Sequence, residues 1–267
     1  MLTRTQLLSR NNISISGNSD RAMLFAHGYG CDQNMWRFLV AAFADRFTLV
    51  LFDHVGSGKS DRTAYDFEKY SYLHGYADDV IEICEQLQLK NVIFVGHSVG
   101  AMIGLLAAIK SPHYFESMIM IAPSPCYINR EHYFGGFSES DIQELLVSID
   151  SNYLGWSSAM APAIMGNADR PHLANELENS FCSNDPVIAQ HFARVTFLSD
   201  HRKDLPLLKT NTLVIQCPED LIAPLAVGEF VASQIEKASL KVLKATGHCP
   251  HLSAPAETIE AINSFLN

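Results

Sequence analysis

The segment Gly96-His97-Ser98-Val99-Gly100 places a serine between two glycines, each two residues away. A short apolar run precedes it and a longer apolar run follows. G-x-S-x-G between a strand and a helix is the signature of a sharp turn that lifts a serine hydroxyl above a sheet edge. The small neighbours are needed because the turn is tight. The helix that starts there supplies backbone N–H groups and a positive dipole end, and both favour an oxyanion. Taken alone, the pattern also fits a glycine-rich turn with Ser98 as a helix N-cap.

A serine hydroxyl is a weak nucleophile unless a base takes its proton. A histidine and an acid are therefore expected, in the chain order Ser…Asp…His. Of the 11 histidines, His248 in Gly247-His248-Cys249-Pro250 follows the last strand-like run, and His251 is its nearest rival. Asp220 follows another strand-like run in Pro218-Glu219-Asp220-Leu221-Ile222-Ala223-Pro224. A carboxylate there can fix the imidazole tautomer and stabilise the imidazolium. Glu219 is adjacent; the D-x-x-x-P spacing favours Asp220. The oxyanion needs a second donor from a loop after an early strand. His27-Gly28-Tyr29-Gly30 stands there, so the Tyr29 N–H is expected to act with that of Val99, and His27 to be structural.

These loops need a scaffold. Ala22–Ala26, Phe47–Phe52, Val92–Val95, Met118–Ala122 and Thr212–Cys217 are short, strongly apolar runs. They suit strands buried on both faces of a parallel sheet. Leu240 to Leu243 reads as a last strand. Between them, Tyr76, Val80, Ile83, Cys84 and Leu87 have helical spacing, Val99–Ile109 is apolar nearly all round, and Ala256–Leu266 reads as a closing helix. The alternation predicts a doubly wound α/β sheet. From about Tyr127 to Asp200 no strand is apparent. Helix-like runs at 138–154, 157–164, 172–181 and 186–198 are separated by turn and breaker signals. The expected organisation is a core of 1–126 and 201–267 with a helical cap, 127–200, inserted as part of one compact unit.

Composition narrows the function. A net charge of −10 in 267 residues, with no basic run, argues against nucleic acid and against anionic membrane surfaces. No stretch is apolar enough for a transmembrane helix and the first 20 residues lack a signal-peptide core. Six scattered cysteines without CxxC spacing suggest reduced thiols in a cytoplasmic protein. Gly56-Ser57-Gly58-Lys59-Ser60 resembles a phosphate loop, but Asp53 stands where that pattern needs glycine. A tight turn is the better reading. No metal-ligand spacing is present and the chemistry requires no cofactor.

With these residues placed, the chain resembles the α/β-hydrolase family that contains the bacterial stress-signalling hydrolase RsbQ and the plant karrikin and strigolactone receptor hydrolases, RsbQ more closely. The resemblance rests on HGYGCDQNMW (27–36), LFDHVGSGKSD (51–61), VGHSVGAMIG (95–104), PSPCYI (123–128), FCSNDP (181–186), SDHRKDL (199–205) and GHCPHLS (247–253). It implies the triad Ser98, Asp220 and His248, with Tyr29 and Val99 as oxyanion donors. Family members usually carry Phe at the position of Tyr29. It also implies a four-helix cap over a small apolar pocket, with Cys126, Phe134, Phe137, Trp156, Met160, Phe197 and Leu221 as candidate lining. Such a pocket suits a small hydrophobic ester or lactone. The resemblance further implies a possible signalling partner, such as a serine phosphatase, because some members bind or slowly cleave a ligand and then engage a protein.

Overall fold

The computed structural model describes residues 3–267. Seven strands form one sheet: β1 (Ser14–Ser16), β2 (Ala22–Ala26), β3 (Thr48–Leu51), β4 (Val92–His97), β5 (Phe115–Ile121), β6 (Asn211–Gln216) and β7 (Ala238–Val242). Their order is β1-β3-β2-β4-β5-β6-β7. All pairs are parallel except β1 with β3. The helices are α1 (Arg4–Arg10), α2 (Arg37–Phe43), α3 (Leu73–Gln86), α4 (Val99–Lys110), α5 (Glu139–Ser151), α6 (Tyr153–Met165), α7 (Pro171–Cys182), α8 (Pro186–Phe197), α9 (Leu225–Gln234), α10 (Pro250–Ser253) and α11 (Pro255–Leu266).

The sheet is covered on both faces, which explains the continuous apolar runs. Alternate residues point to opposite sides. Leu24, Ala26, Val50, Phe94, Met118, Met120 and Val214 pack with α3, α4 and α9. Met23, Phe25, Leu49, Ile93, Val95, Ile119, Ile121, Leu213 and Ile215 pack with Leu39 and Phe43 of α2 and Ala261 and Ile262 of α11. The connection leaving β2 thus crosses one face and the one leaving β4 crosses the other. Neighbouring strands whose connections diverge open a crevice at their carboxyl ends, where ligands of such sheets bind.

Among the elements with no expectation behind them are β1 and α1. The three-residue β1, Ser-Ile-Ser, is exposed, and no apolar run marks it. The helix α1 buries only Leu7, and a capping box between Thr3 and Gln6 fixes its start. Helix α6 starts at Tyr153, inside the run expected to end at 154. The Asn152 side chain accepts from the Gly155 N–H and caps the new helix there. Gly56 and Gly58, both at positive φ, belong to a tight turn organised by Asp53, which accepts from the N–H groups of Gln33 and Lys59.

Candidate active site

Ser98 follows β4 directly and precedes α4. Its φ of 54° and ψ of −124° are a strained conformation for a residue with a side chain. Close packing imposes it. A Cβ on Gly96 would stand 2.6 Å from the Ala101 Cα, and one on Gly100 would stand 2.5 Å from the Ala26 and His27 carbonyl oxygens. The start of α4 is thereby pressed against the end of β2. A Cβ on Gly28 would lie 3.3 Å from the Ser98 Cβ, so the loop after β2 touches the serine. The Tyr29 and Val99 backbone N–H groups both belong to this junction, and among the loop and cap contacts of the described residues neither has an acceptor.

The loop after β7 brings in His248. Gly247 has φ +85° and passes so close to Met165 that a Cβ would stand 1.9 Å from its carbonyl oxygen. The Gly247 N–H donates to the Glu219 carbonyl and the His248 N–H to that of Ile164. His97 Nε2 bonds the His248 carbonyl at 2.8 Å. So anchored, His248 sets Nε2 at 2.8 Å from Ser98 Oγ and Nδ1 at 2.8 Å from Asp220 Oδ2. The other oxygen of Asp220 accepts from the Ile222 and Ala223 N–H groups at 2.8 and 3.0 Å. With a carboxylate on Nδ1 the ring proton sits there, which leaves Nε2 free to accept from the serine.

The rivals fall elsewhere. Glu219 is exposed and contributes its backbone only. Neither nitrogen of His251 makes a hydrogen bond, and its ring packs on Trp36 and His97. Burial holds its pKa down at about 3. His27 accepts from the His54 N–H through Nε2 and packs against the His54 ring.

Ser98 and His248 open into a small cavity. Besides these two, its wall includes Tyr29, Tyr127, Trp156, Ile164, Leu177, Phe181, Thr196, Phe197 and Ile222. Trp156 and Phe197 of the expected lining are therefore in place, and five expected residues are not. Phe134 and Leu221 are 55% and 48% exposed and turn to solvent. Phe137 and Met160 line an outer groove with Asp141 and Glu144, on the other side of Trp156 from the cavity. Cys126 is buried, but its Sγ donates to the Ile128 carbonyl outside the cavity wall. Two of these miss by one position, since Tyr127 and Ile222 enter where Cys126 and Leu221 do not.

Tyr29 is the hub of the wall. Its ring centroid lies 5.8–6.2 Å from those of Trp156, Phe181, Phe192 and Phe197. Its hydroxyl donates to the Ala189 carbonyl of α8 at 3.0 Å. Phe181 packs where Gly30 has no side chain, 2.2 Å from the position of a Cβ; that glycine is the signal that could have located it. Cys31 and Cys249 also line the cavity, but burial pushes both thiols well above their ordinary pKa, so neither competes as a thiolate. Among the described residues no group of three or more His, Cys, Asp or Glu is placed to hold a metal ion.

The model of the alpha/beta hydrolase family matches residues 23–261. The chain belongs to that family. It is 36% identical to the karrikin insensitive 2 receptor CA of Petunia hybrida over 253 residues, 94% of each chain. It is 35% identical to the strigolactone esterase D14 of Arabidopsis thaliana over 99% of each. A solved hydrolase from Oleispira antarctica superposes with a TM-score of 0.96 at 40% identity, over all of this chain and 98% of the other. Against this family, RsbQ-like in its motifs, the protein is a hydrolase, and no helix among its described residues is long and apolar enough to cross a membrane.

Proposed function

We propose that Ser98 is the nucleophile, His248 the general base and Asp220 its orienting acid, and that the substrate is a small hydrophobic ester or lactone. The observation that carries this reading is the pair of 2.8 Å contacts made by His248 to Ser98 and Asp220 at the floor of an apolar cavity. Ser98 Oγ attacks the acyl carbon as its proton passes to His248 Nε2. The tetrahedral oxygen takes hydrogen bonds from the Tyr29 and Val99 N–H groups. His248 then gives the proton to the leaving oxygen, and water repeats the sequence on the acyl-serine. The helices of 127–200 act as a cap: α6, α7 and α8 furnish Trp156, Ile164, Leu177, Phe181, Thr196 and Phe197 to the wall. No cofactor is required, and a cytoplasmic location suits six free thiols.

The test is stopped-flow release of p-nitrophenol from p-nitrophenyl acetate. A burst followed by steady turnover is expected, and Ser98→Ala abolishes both. Full activity in that variant refutes the assignment.

A second reading rests on the receptor names of its relatives. There the same acylation captures a ligand, and a partner protein of the serine-phosphatase kind reads the result. A burst of one equivalent with almost no turnover selects it over the esterase.

A further inference from the structure

The cavity wall is mostly carbon, and its two reactive polar groups, Ser98 and His248, are paired with each other. Besides the Tyr127 phenol, which lies beside Ser98, one hydroxyl in the wall has no partner. Thr196 lies in the last turn of α8, is 1% exposed and lines the cavity. Its Oγ1 makes no hydrogen bond. Threonine within a helix commonly turns its hydroxyl back to a carbonyl of the preceding turn. Here that bond is absent. The Thr196 carbonyl is in use, accepting from the Ser199 hydroxyl at 2.8 Å, so the helix end is secured without the side chain.

A buried hydroxyl left unpaired costs stability, and valine would fill the same space without that cost. His97 Nδ1 is also unpaired, but it faces Gly28, where only 2.6 Å separates it from a Cβ position. Nothing larger than the glycine backbone fits there. Thr196 is thus a buried wall hydroxyl that no protein group satisfies, and it offers one O–H donor.

We propose that Thr196 determines specificity by donating a hydrogen bond to an oxygen of the ligand remote from the scissile carbonyl. The site then takes small esters or lactones that carry a second oxygen function, in preference to plain hydrocarbon acyl chains. The proposal rests on the ester or lactone reading above and adds the chemistry of the ligand's far end.

The test compares p-nitrophenyl hexanoate with its 3-oxa, 4-oxa and 5-oxa isosteres, in which one methylene is an ether oxygen. For each, kcat/KM is taken relative to hexanoate in the wild type, Thr196→Val and Thr196→Ser. At one oxa position the ratio is expected to fall about tenfold in the valine variant, the worth of one hydrogen bond, and to survive in the serine variant. Ratios within twofold at all three positions overturn the proposal, as they would if the hydroxyl served only a structural water. If the wild type cleaves none of the four, the hydrolase reading fails separately. Thr196 is then judged by melting temperature, using the methyl esters of the same acids on Ser98→Ala with and without Thr196→Val. A larger shift from one oxa ester that disappears with the hydroxyl supports it. Equal shifts, or none from any ester, overturn it.

Discussion

Acid should unfold this protein through histidines that take no part in the proposed chemistry. His54, His97 and His251 are at most 2% exposed. Desolvation holds the first two well below 6.5 and His251 at about 3. The unfolded chain takes up a proton on each near pH 6.5. The native state does not, so it binds fewer protons throughout the window below 6.5, and stability falls as pH falls. Integrating the linkage relation for His251 gives a loss of about 2 kcal/mol between pH 7 and pH 5, with a slope near pH 5.5 of about 1.2 kcal/mol per unit. His54 and His97 are lowered in the same direction by burial and add to this loss. Asp79 works the other way, because burial raises its carboxyl and the native state binds its proton first. The net expectation is that stability falls as the pH drops below about 6.5. The decisive variant is His251→Phe. It keeps a ring against Trp36 and loses no hydrogen bond, since neither nitrogen makes one. Urea unfolding followed by far-UV circular dichroism at several pH values between 7.5 and 5 should show the slope near pH 5.5 reduced by about 1.2 kcal/mol per unit. An unchanged slope refutes the assignment of a neutral buried His251.

Asp220→Asn should keep the fold, because its side-chain oxygen can still accept from the Ile222 and Ala223 N–H groups. The amide then faces His248 Nδ1 and holds the wrong tautomer. A drop of about four orders of magnitude in kcat is expected with melting temperature little changed; a drop below tenfold in p-nitrophenyl acetate turnover rejects the orienting role. Tyr29→Phe removes the hydroxyl bond to the Ala189 carbonyl but leaves the backbone N–H in place. It should cost about 1 kcal/mol in urea unfolding and less than threefold in kcat. A large fall in kcat would mean that the hydroxyl, not the amide, serves the reaction.

How much of the site can be read in advance depends on what fixes each residue. Ser98, Asp220 and His248 are each fixed by a local event: a turn that only small neighbours allow, a loop braced by its own backbone, and a glycine at positive φ before the histidine. Such events leave marks within five or six residues, so the three positions are legible one at a time. The parallel strands are legible for a similar reason, because burial on both faces leaves unbroken apolar runs. The cavity wall has no such local cause. In α6 the buried positions Tyr153, Trp156, Ser157, Ala161, Ile164 and Met165 form one stripe. Met160 lies on the same stripe, half-buried, and reaches the outer groove. Which part of the stripe meets the cavity depends on how α6 packs against α7, a tertiary matter that hydrophobicity does not encode.

The same reasoning explains why an apolar lining was expected and Thr196 was passed over. Hydrophobicity selects the residues that close a cavity, and Phe134 and Leu221 satisfy it equally well on the surface. What distinguishes a binding wall from a core is a polar group left without a partner after packing is complete. That property belongs to no residue type. It appears only when every neighbour has been placed, and Thr196 then stands out as a buried cavity hydroxyl that no protein group satisfies. The proposed catalytic residues are therefore visible as motifs, whereas the proposed specificity residue emerges from the unmet bonding of the folded chain.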